Sequence, residues 1–154
     1  MQVGVISDTH GLLRPEALAA LAGSDLILHA GDVGKPEILA RLADLAPTLA
    51  VRGNVDRSEW ARDLPETLVH VAAGVWFYLL HDVRALDLSP GPAGFRVVVS
   101  GHSHRASLEE RAGVLYLNPG AAGPRRFRLP LCVALLHLEG GEVRTELREL
   151  SVRP

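Results

Sequence analysis

Five apolar runs in this chain each stop at a residue able to bind a metal ion. VGVIS stops at Asp8, with His10 two residues on; LILHAG at Asp32; LAVRG at Asn54; WFYLL at His81; and VVVSG at His102, with His104 behind it. A buried strand that gives way to a polar turn delivers one side chain to the rim of its sheet. Five such strands side by side bring seven nitrogen and oxygen donors to one rim. That number suits two divalent ions, and two ions together point to phosphoester hydrolysis.

The 154 residues fit one domain, 1–154, large enough to bury roughly 70% of the unfolded chain's surface. A net charge of −2 gives no broad basic field, so strong nucleic-acid binding is not expected. A small phosphorylated substrate remains open, because the local charge of bound metal can attract it. The single cysteine, Cys132, excludes an intramolecular disulfide framework and a thiolate-rich zinc site; within LPLCVALLHL it reads as a core residue. The apolar stretch 69–80 is interrupted by His70 and Gly74 and is too short to span a bilayer. The chain starts directly in a strand-like run without a basic leader, and the expectation is a cytoplasmic protein without membrane contact. Only two Asn occur, Asn54 and Asn118, in GN and NPG turns. In a chain that otherwise avoids Asn, those positions need it.

The first half alternates strand and helix. Residues 2–7, 25–30 and 48–52 read as buried strands. Pro15 opens a helix that Gly23 closes, and Pro36 opens a second through about residue 44. This order implies right-handed crossovers and a parallel sheet whose ligands gather beyond the strands' carboxyl ends. The second half is richer in strands. Residues 66–72 and 74–80 form a hairpin about Ala73-Gly74, 96–100 is a short buried strand, 107–118 turns near Ala112-Gly113, and 131–150 turns at Gly140-Gly141. Residues 89–94, SPGPAG, read as a surface loop. A two-sheet α/β sandwich accommodates all of these elements.

His102 and His104 lie two apart, so an extended GHSH points both to one side, where they can approach neighbouring ions; Asp8 and His10 share that relation. Asp32 can bridge two ions through its two oxygens. Asn54 offers a neutral amide oxygen that limits the negative charge facing a phosphate. Hard oxygen and imidazole donors without thiolate suit Mn, Fe, Ni, Co or Zn. A lone DTH, GD, GN or His81 is ordinary as a turn, cap or satisfied histidine. Their joint occurrence at successive strand ends is not.

Asp8-Thr9-His10, Gly31-Asp32, Gly53-Asn54, His81 and Gly101-His102-Ser103-His104 resemble the motifs of the calcineurin-like metallophosphoesterases, most closely the small prokaryotic phosphodiesterase branch. Leu117-Asn118-Pro119-Gly120 adds to the match, which extends over nearly the whole chain. The resemblance implies a four-layer αββα sandwich of two mixed sheets flanked by helices. It implies two divalent transition-metal ions, manganese first among them. One would be held by Asp8, His10, Asp32 and His104, the other by Asp32, Asn54, His81 and His102. A hydroxide shared by the ions would attack phosphorus, with Asp32, Asn54 and His102 expected at the chemistry. The function so implied is a phosphodiesterase acting on small or activated diesters.

The chain departs from the family pattern in two places. Many members carry a phosphate-contacting His after the Gly-Asn pair, and here Val55 stands there, which leaves general-acid help unassigned. Asp56 and Arg57 are nearby polar residues, read first as a turn Asp and a solvated Arg. After His81 the branch continues with Gly-His, whereas here Asp82-Val83 follows, with Asp82 read as a cap. Among the other histidines, His29 reads as a buried structural residue or one that orients Asp32 or another ligand. His70 and His137 read as ordinary strand residues. Arg125, Arg126 and Arg128 read first as a solvated charge run and second as a contact to phosphate or another subunit, and Trp76, Phe77 and Tyr78 read as packing. Two alternatives stand beside the diesterase: a scaffold or binding module, such as the superfamily's trafficking-coat subunit, and a phosphomonoesterase or nucleotide pyrophosphatase. A homodimer through an exposed apolar strand face is a further expectation, by analogy.

Overall fold

The computed structural model describes residues 1–152. In chain order the elements are β1 (Gln2–Ile6), α1 (Pro15–Leu21), β2 (Leu26–His29), α2 (Pro36–Ala43), β3 (Thr48–Ala50), β4 (Thr67–Ala72), β5 (Val75–Leu80), β6 (Val97–Val99), β7 (Ser107–Arg111), β8 (Val114–Asn118), β9 (Cys132–Glu139) and β10 (Glu142–Glu149). Pro15 and Pro36 stand at the first helical turns, where a missing N–H costs nothing. The hairpins turn at Ala73-Gly74, Ala112-Gly113 and Gly140-Gly141, each pair at positive φ, the backbone twist that matches two antiparallel strands.

The strands form two five-stranded mixed sheets, ordered β10-β9-β1-β2-β3 and β4-β5-β6-β8-β7. Each has a parallel trio at its heart, β1-β2-β3 in one and β5-β6-β8 in the other, with antiparallel strands at the flanks. The alternation of side chains divides the core into layers. Val3, Val5, Leu28, Phe77, Leu79, Val99, Leu117 and Leu136 pack between the sheets. Ile6, Ile27, Val133 and Leu135 face outward beneath α1 and α2, against Ala17, Leu21, Ile38 and Leu42. Each fully buried aliphatic or Phe side chain contributes about 1.5–3 kcal/mol. On the other outer face Tyr78, Leu80, Val98 and Val114 are covered by Leu86, Leu88 and Phe95.

The sandwich is the expected one, with one detail of its own. Both α-helices cover the first sheet, while the second is covered by the segment 82–95, which holds only a three-residue 3₁₀ turn, Val83–Ala85. Cys132 is buried, and Phe77 lies in the inter-sheet core while Trp76 is half-exposed beside Phe95. No helix among the described residues is long and apolar enough to cross a membrane. The carboxyl ends of the two parallel trios meet at one rim of the sandwich, which brings residues 8, 32 and 54 from the first sheet opposite 81, 102 and 104 from the second.

Candidate metal centre

The loops that leave these strands are held under strain. Asp8, His10, Asp32, His102 and His104 all adopt positive φ, between 45° and 71°. Asp and His enter this region more readily than most side chains, yet it still costs about 1 kcal/mol each. Backbone strain of this kind persists only where neighbours over-determine it, and it gathers at functional sites.

Those neighbours form a connected network. Gly31 N–H donates to His29 Nδ1 at 3.1 Å, which leaves the ring proton on Nε2, 3.0 Å from Thr9 Oγ1. The Thr9 hydroxyl in turn donates to the Val33 carbonyl at 2.9 Å. His29 therefore ties the loop carrying Asp8 and His10 to the loop carrying Asp32, and its hydrogen bonds go to none of those three side chains. Complete burial lowers its pKa to about 4, against the pull of Asp8 and Asp56, so the ring is neutral. Asp56 is more than a turn residue: its carboxylate accepts the N–H groups of Val33, Gly34 and Gly53. Asn118 donates to Gly101 O at 2.8 Å and to Ser103 Oγ at 3.1 Å, and accepts from Gly120 N–H, so it holds the GHSH turn from the end of β8. Neither role was readable from spacing, although the scarcity of Asn marked position 118. Gly53 and Gly101 serve close approach rather than turn geometry. A Cβ at the first would strike Asp32, and at the second Ser7 and Asp8.

All seven predicted donors fall in one cluster. Asp8, His10 and His104 form one group, and Asp32, His81 and His102 a second, each with ligand atoms within 4.8 Å of one another. Asp8 Oδ1 is ringed by Nε2 of His104 at 3.4 Å, His10 at 3.6 Å and His81 at 3.9 Å. Its other oxygen is taken by the Ser7 hydroxyl and the His102 N–H. Asp32 Oδ2 lies 3.5 Å from His10 Nε2 and 3.2 Å from His81 Nε2, so this one oxygen faces both groups. Asp32 Oδ1 instead accepts the Val55 N–H at 3.0 Å. The sequence suggested a bridge through two oxygens; the geometry presents one. Asn54 Oδ1 sits 3.2 Å from His102 Nδ1.

Electrostatics favour a cation at this place. Burial opposes ionisation of Asp32, but the adjacent His81 ring, the Val55 N–H and the charges of His81 and His10 outweigh it and hold the pKa at about 2. Burial also works against a charged His81, and the Asp32 carboxylate and Ala30 carbonyl overcome it, raising that pKa. His81 Nδ1 donates to Ala30 O at 2.7 Å, which fixes Nε2 as the nitrogen turned toward Asp8 and Asp32. Binding a metal there requires Nε2 to give up its proton. Asp8 Oδ1 and His81 Nε2 are buried with no hydrogen-bond partner among the described residues. Buried polar atoms rarely go unsatisfied, and these two point into the same space. The donor set fits divalent metal.

The remaining predicted residues lie around this cluster. Asp82 caps the 3₁₀ turn by accepting the Arg84 N–H, and Arg57 donates to the Asn54 carbonyl. Val55 is exposed at the mouth and offers no titratable group. Arg125 reaches the Val152 carbonyl, and Phe127 beside it is 84% exposed. His137 lies 4.0 Å from Glu146 on β9 and β10, and His70 is part of β4; neither belongs to the cluster.

Residues 1–141 match the model of the calcineurin-like phosphoesterase superfamily domain. A probable metallophosphoesterase of Methanothermobacter thermautotrophicus is 34% identical over 159 aligned positions, covering 96% of this chain and 91% of that protein. Among solved structures, an archaeal phosphodiesterase superposes with a TM-score of 0.79 at 24% identity, covering 96% of this chain and all of the other. Vps29 of Entamoeba histolytica complexed with zinc gives 0.76 at 23% identity, over 97% of this chain and 99% of that one. The two structures establish likeness of fold.

Proposed function

This chain belongs to the calcineurin-like phosphoesterase superfamily, and on that premise we propose that it is a dinuclear metal-dependent phosphodiesterase acting on small or activated diesters in the cytoplasm. One observation carries the reading: Asp32 Oδ2 stands between two donor groups, beside two buried polar atoms that lack any other partner. Asp8, His10, Asp32 and His104 would hold one ion, and Asp32, Asn54, His81 and His102 the other. Two divalent ions supply Lewis-acid charge for phosphoryl oxygens and lower the pKa of bound water. Manganese is the first ion to test, with Ni, Fe, Co and Zn compatible with the same donors.

The chain's own residues do the positioning. The Ala30 carbonyl sets the His81 ring, Val55 N–H sets Asp32, and Asn118 sets the turn that carries His102 and His104. Asn54 adds an oxygen without adding negative charge. No side chain at the Val55 position can protonate a departing alkoxide, and Asp56 is committed to three backbone N–H groups. An activated leaving group, stable without prompt protonation, is therefore the best substrate.

The test is metal analysis together with hydrolysis of bis-p-nitrophenyl phosphate, adding Mn, Ni, Zn and Mg in turn to metal-free protein. About two ions per chain and metal-stimulated turnover are expected, with both lost in Asp32→Asn. Full turnover by Asp32→Asn would sink the mechanism. The exposed Val55 favours a second reading, a binding module that keeps the fold. Bound metal without hydrolysis across a panel of diesters, monoesters and nucleotide anhydrides would select it. Turnover of monoesters or anhydrides alone would move the activity to a phosphomonoesterase or pyrophosphatase.

A further inference from the structure

The segment after His81, where this chain departs from its family's pattern, builds a cation into the outer wall of the centre. Asp82 accepts the backbone N–H of Arg84 at 3.0 Å. The same carboxylate takes Arg84 Nε at 3.1 Å and Nη2 at 2.8 Å, a two-pronged clamp across a single turn. Arg84 Nη2 then lies 3.4 Å from His102 Nε2, on the side of that ring away from Asn54, which faces Nδ1. The guanidinium has five N–H donors. Two are spent on Asp82 and the second on Nη2 lies toward His102, which leaves the two on Nη1. Its side chain is 78% exposed and borders a cleft of about 520 Å³ that His102, Arg111, Tyr116 and Asn118 also line.

Resting on the phosphodiesterase reading, the structure assigns Arg84 as the residue that contacts the substrate's phosphoryl group from the His102 side, with Asp82 as its positioning residue. Arg84 supplies charge and directed hydrogen bonds at a centre where Val55 supplies neither. An exposed arginine ordinarily loses side-chain entropy when it engages a ligand. The Asp82 clamp holds the fork beforehand while leaving the two Nη1 donors for phosphate oxygens, the directed, charge-assisted bonding in which arginine excels. Arg84 has no proton to give near neutral pH, so it stabilises charge and does not replace the missing acid.

The experiment compares wild type, Arg84→Ala, Arg84→Lys and Asp82→Asn, each loaded with manganese. It reads metal content, the affinity for inorganic phosphate by calorimetry, and kcat and KM for bis-p-nitrophenyl phosphate. Arg84→Ala should keep its metal and lose about tenfold in phosphate affinity and in kcat/KM, the size of one charge-assisted hydrogen bond. Free guanidinium ion should restore part of that loss, and Arg84→Lys should fall between. Asp82→Asn should lose about threefold, because the fork remains but is no longer held. Wild-type phosphate affinity and kcat/KM in Arg84→Ala overturn the assignment. Loss of metal from that variant also overturns it, since Arg84 would then be supporting His102. A wild-type protein that binds no metal and hydrolyses nothing refutes the phosphodiesterase reading itself, a result separate from either.

Discussion

At the inner end of the cluster, Asp8 is fully enclosed and the side chains of His10 and His104 are 10% and 6% exposed. At the outer end His102 is 36% exposed beside an exposed Asn54. The inner group is braced by Ser7, Thr9, His29 and the loop stitched by Asp56, all buried. The outer group leans on Asn118 from one side and on the solvent-facing Asp82–Arg84 pair from the other. A closed end favours tight retention of an ion, and an open end favours exchange and access for substrate. On the proposed dinuclear reading, the same seven-donor rim would contain a retaining half and a working half, joined by one oxygen of Asp32.

Four variants bear on that division. The largest effect belongs to Asp8→Asn, which removes the charge at the centre of the three-histidine ring. It should release the inner ion and cost about three orders of magnitude in kcat, the loss expected when one ion's charge stabilisation disappears. An Asp8→Asn protein that retained both ions would show the inner end to be held by Asp32 and the histidines without the Asp8 charge. His102→Ala comes next. It should reduce metal content from about two ions to about one while leaving the inner ion resistant to chelation. Loss of both ions together would dissolve the distinction between the ends. Smaller again is Asn118→Asp, which keeps the shape but turns an acceptor toward the Gly101 carbonyl. It should weaken the outer ion by about 10–100-fold, the range for groups that orient ligands, with a smaller loss at the inner ion, whose His104 shares the turn, read by titration against a chelator.

How much of this was legible in the chain follows from what each residue answers to. The places of the seven candidate donors were readable because a strand end is signalled locally, by an apolar run and a polar stop, and all seven lie at or just past such stops. The sheet order was readable in part: the βαβαβ start enforces a parallel trio, and the hairpin turns are written as Ala-Gly and Gly-Gly. The supporting residues were readable only in part, with His29 and Asn118 marked but not their roles, because their partners are distant in sequence. Asp56 binds backbone N–H groups 22 and 23 residues away, and nothing in RGNVD distinguishes it from any turn Asp. Asn118 reaches back 17 residues to Gly101. Arg84 looked like one of fifteen arginines until the Asp82 clamp placed it against His102. Which Asp32 oxygen faces both donor groups also depended on a long-range contact, the Val55 N–H that engages the other carboxylate oxygen.

The enclosure of the inner end has a smaller but separable signature in pH. His29 is buried beneath it, and its pKa falls to about 4 from an ordinary 6.5. Between those two values the unfolded chain carries a proton that the folded protein does not, so the unfolded state binds more protons. Stability therefore falls as the pH is lowered from about 6.5 toward 4, with a limiting slope of about 1.4 kcal/mol per pH unit for this one group. Above pH 7 the ring is neutral in both states and contributes no pH dependence. Denaturant midpoints of metal-free wild type and His29→Gln, measured between pH 4 and 7, isolate the contribution, because the cluster's carboxylates and histidines titrate in both proteins. The wild-type curve should descend more steeply than the variant's. Parallel curves would mean that folded His29 takes up its proton at the ordinary pH, and hence that water reaches the inner end as readily as the outer.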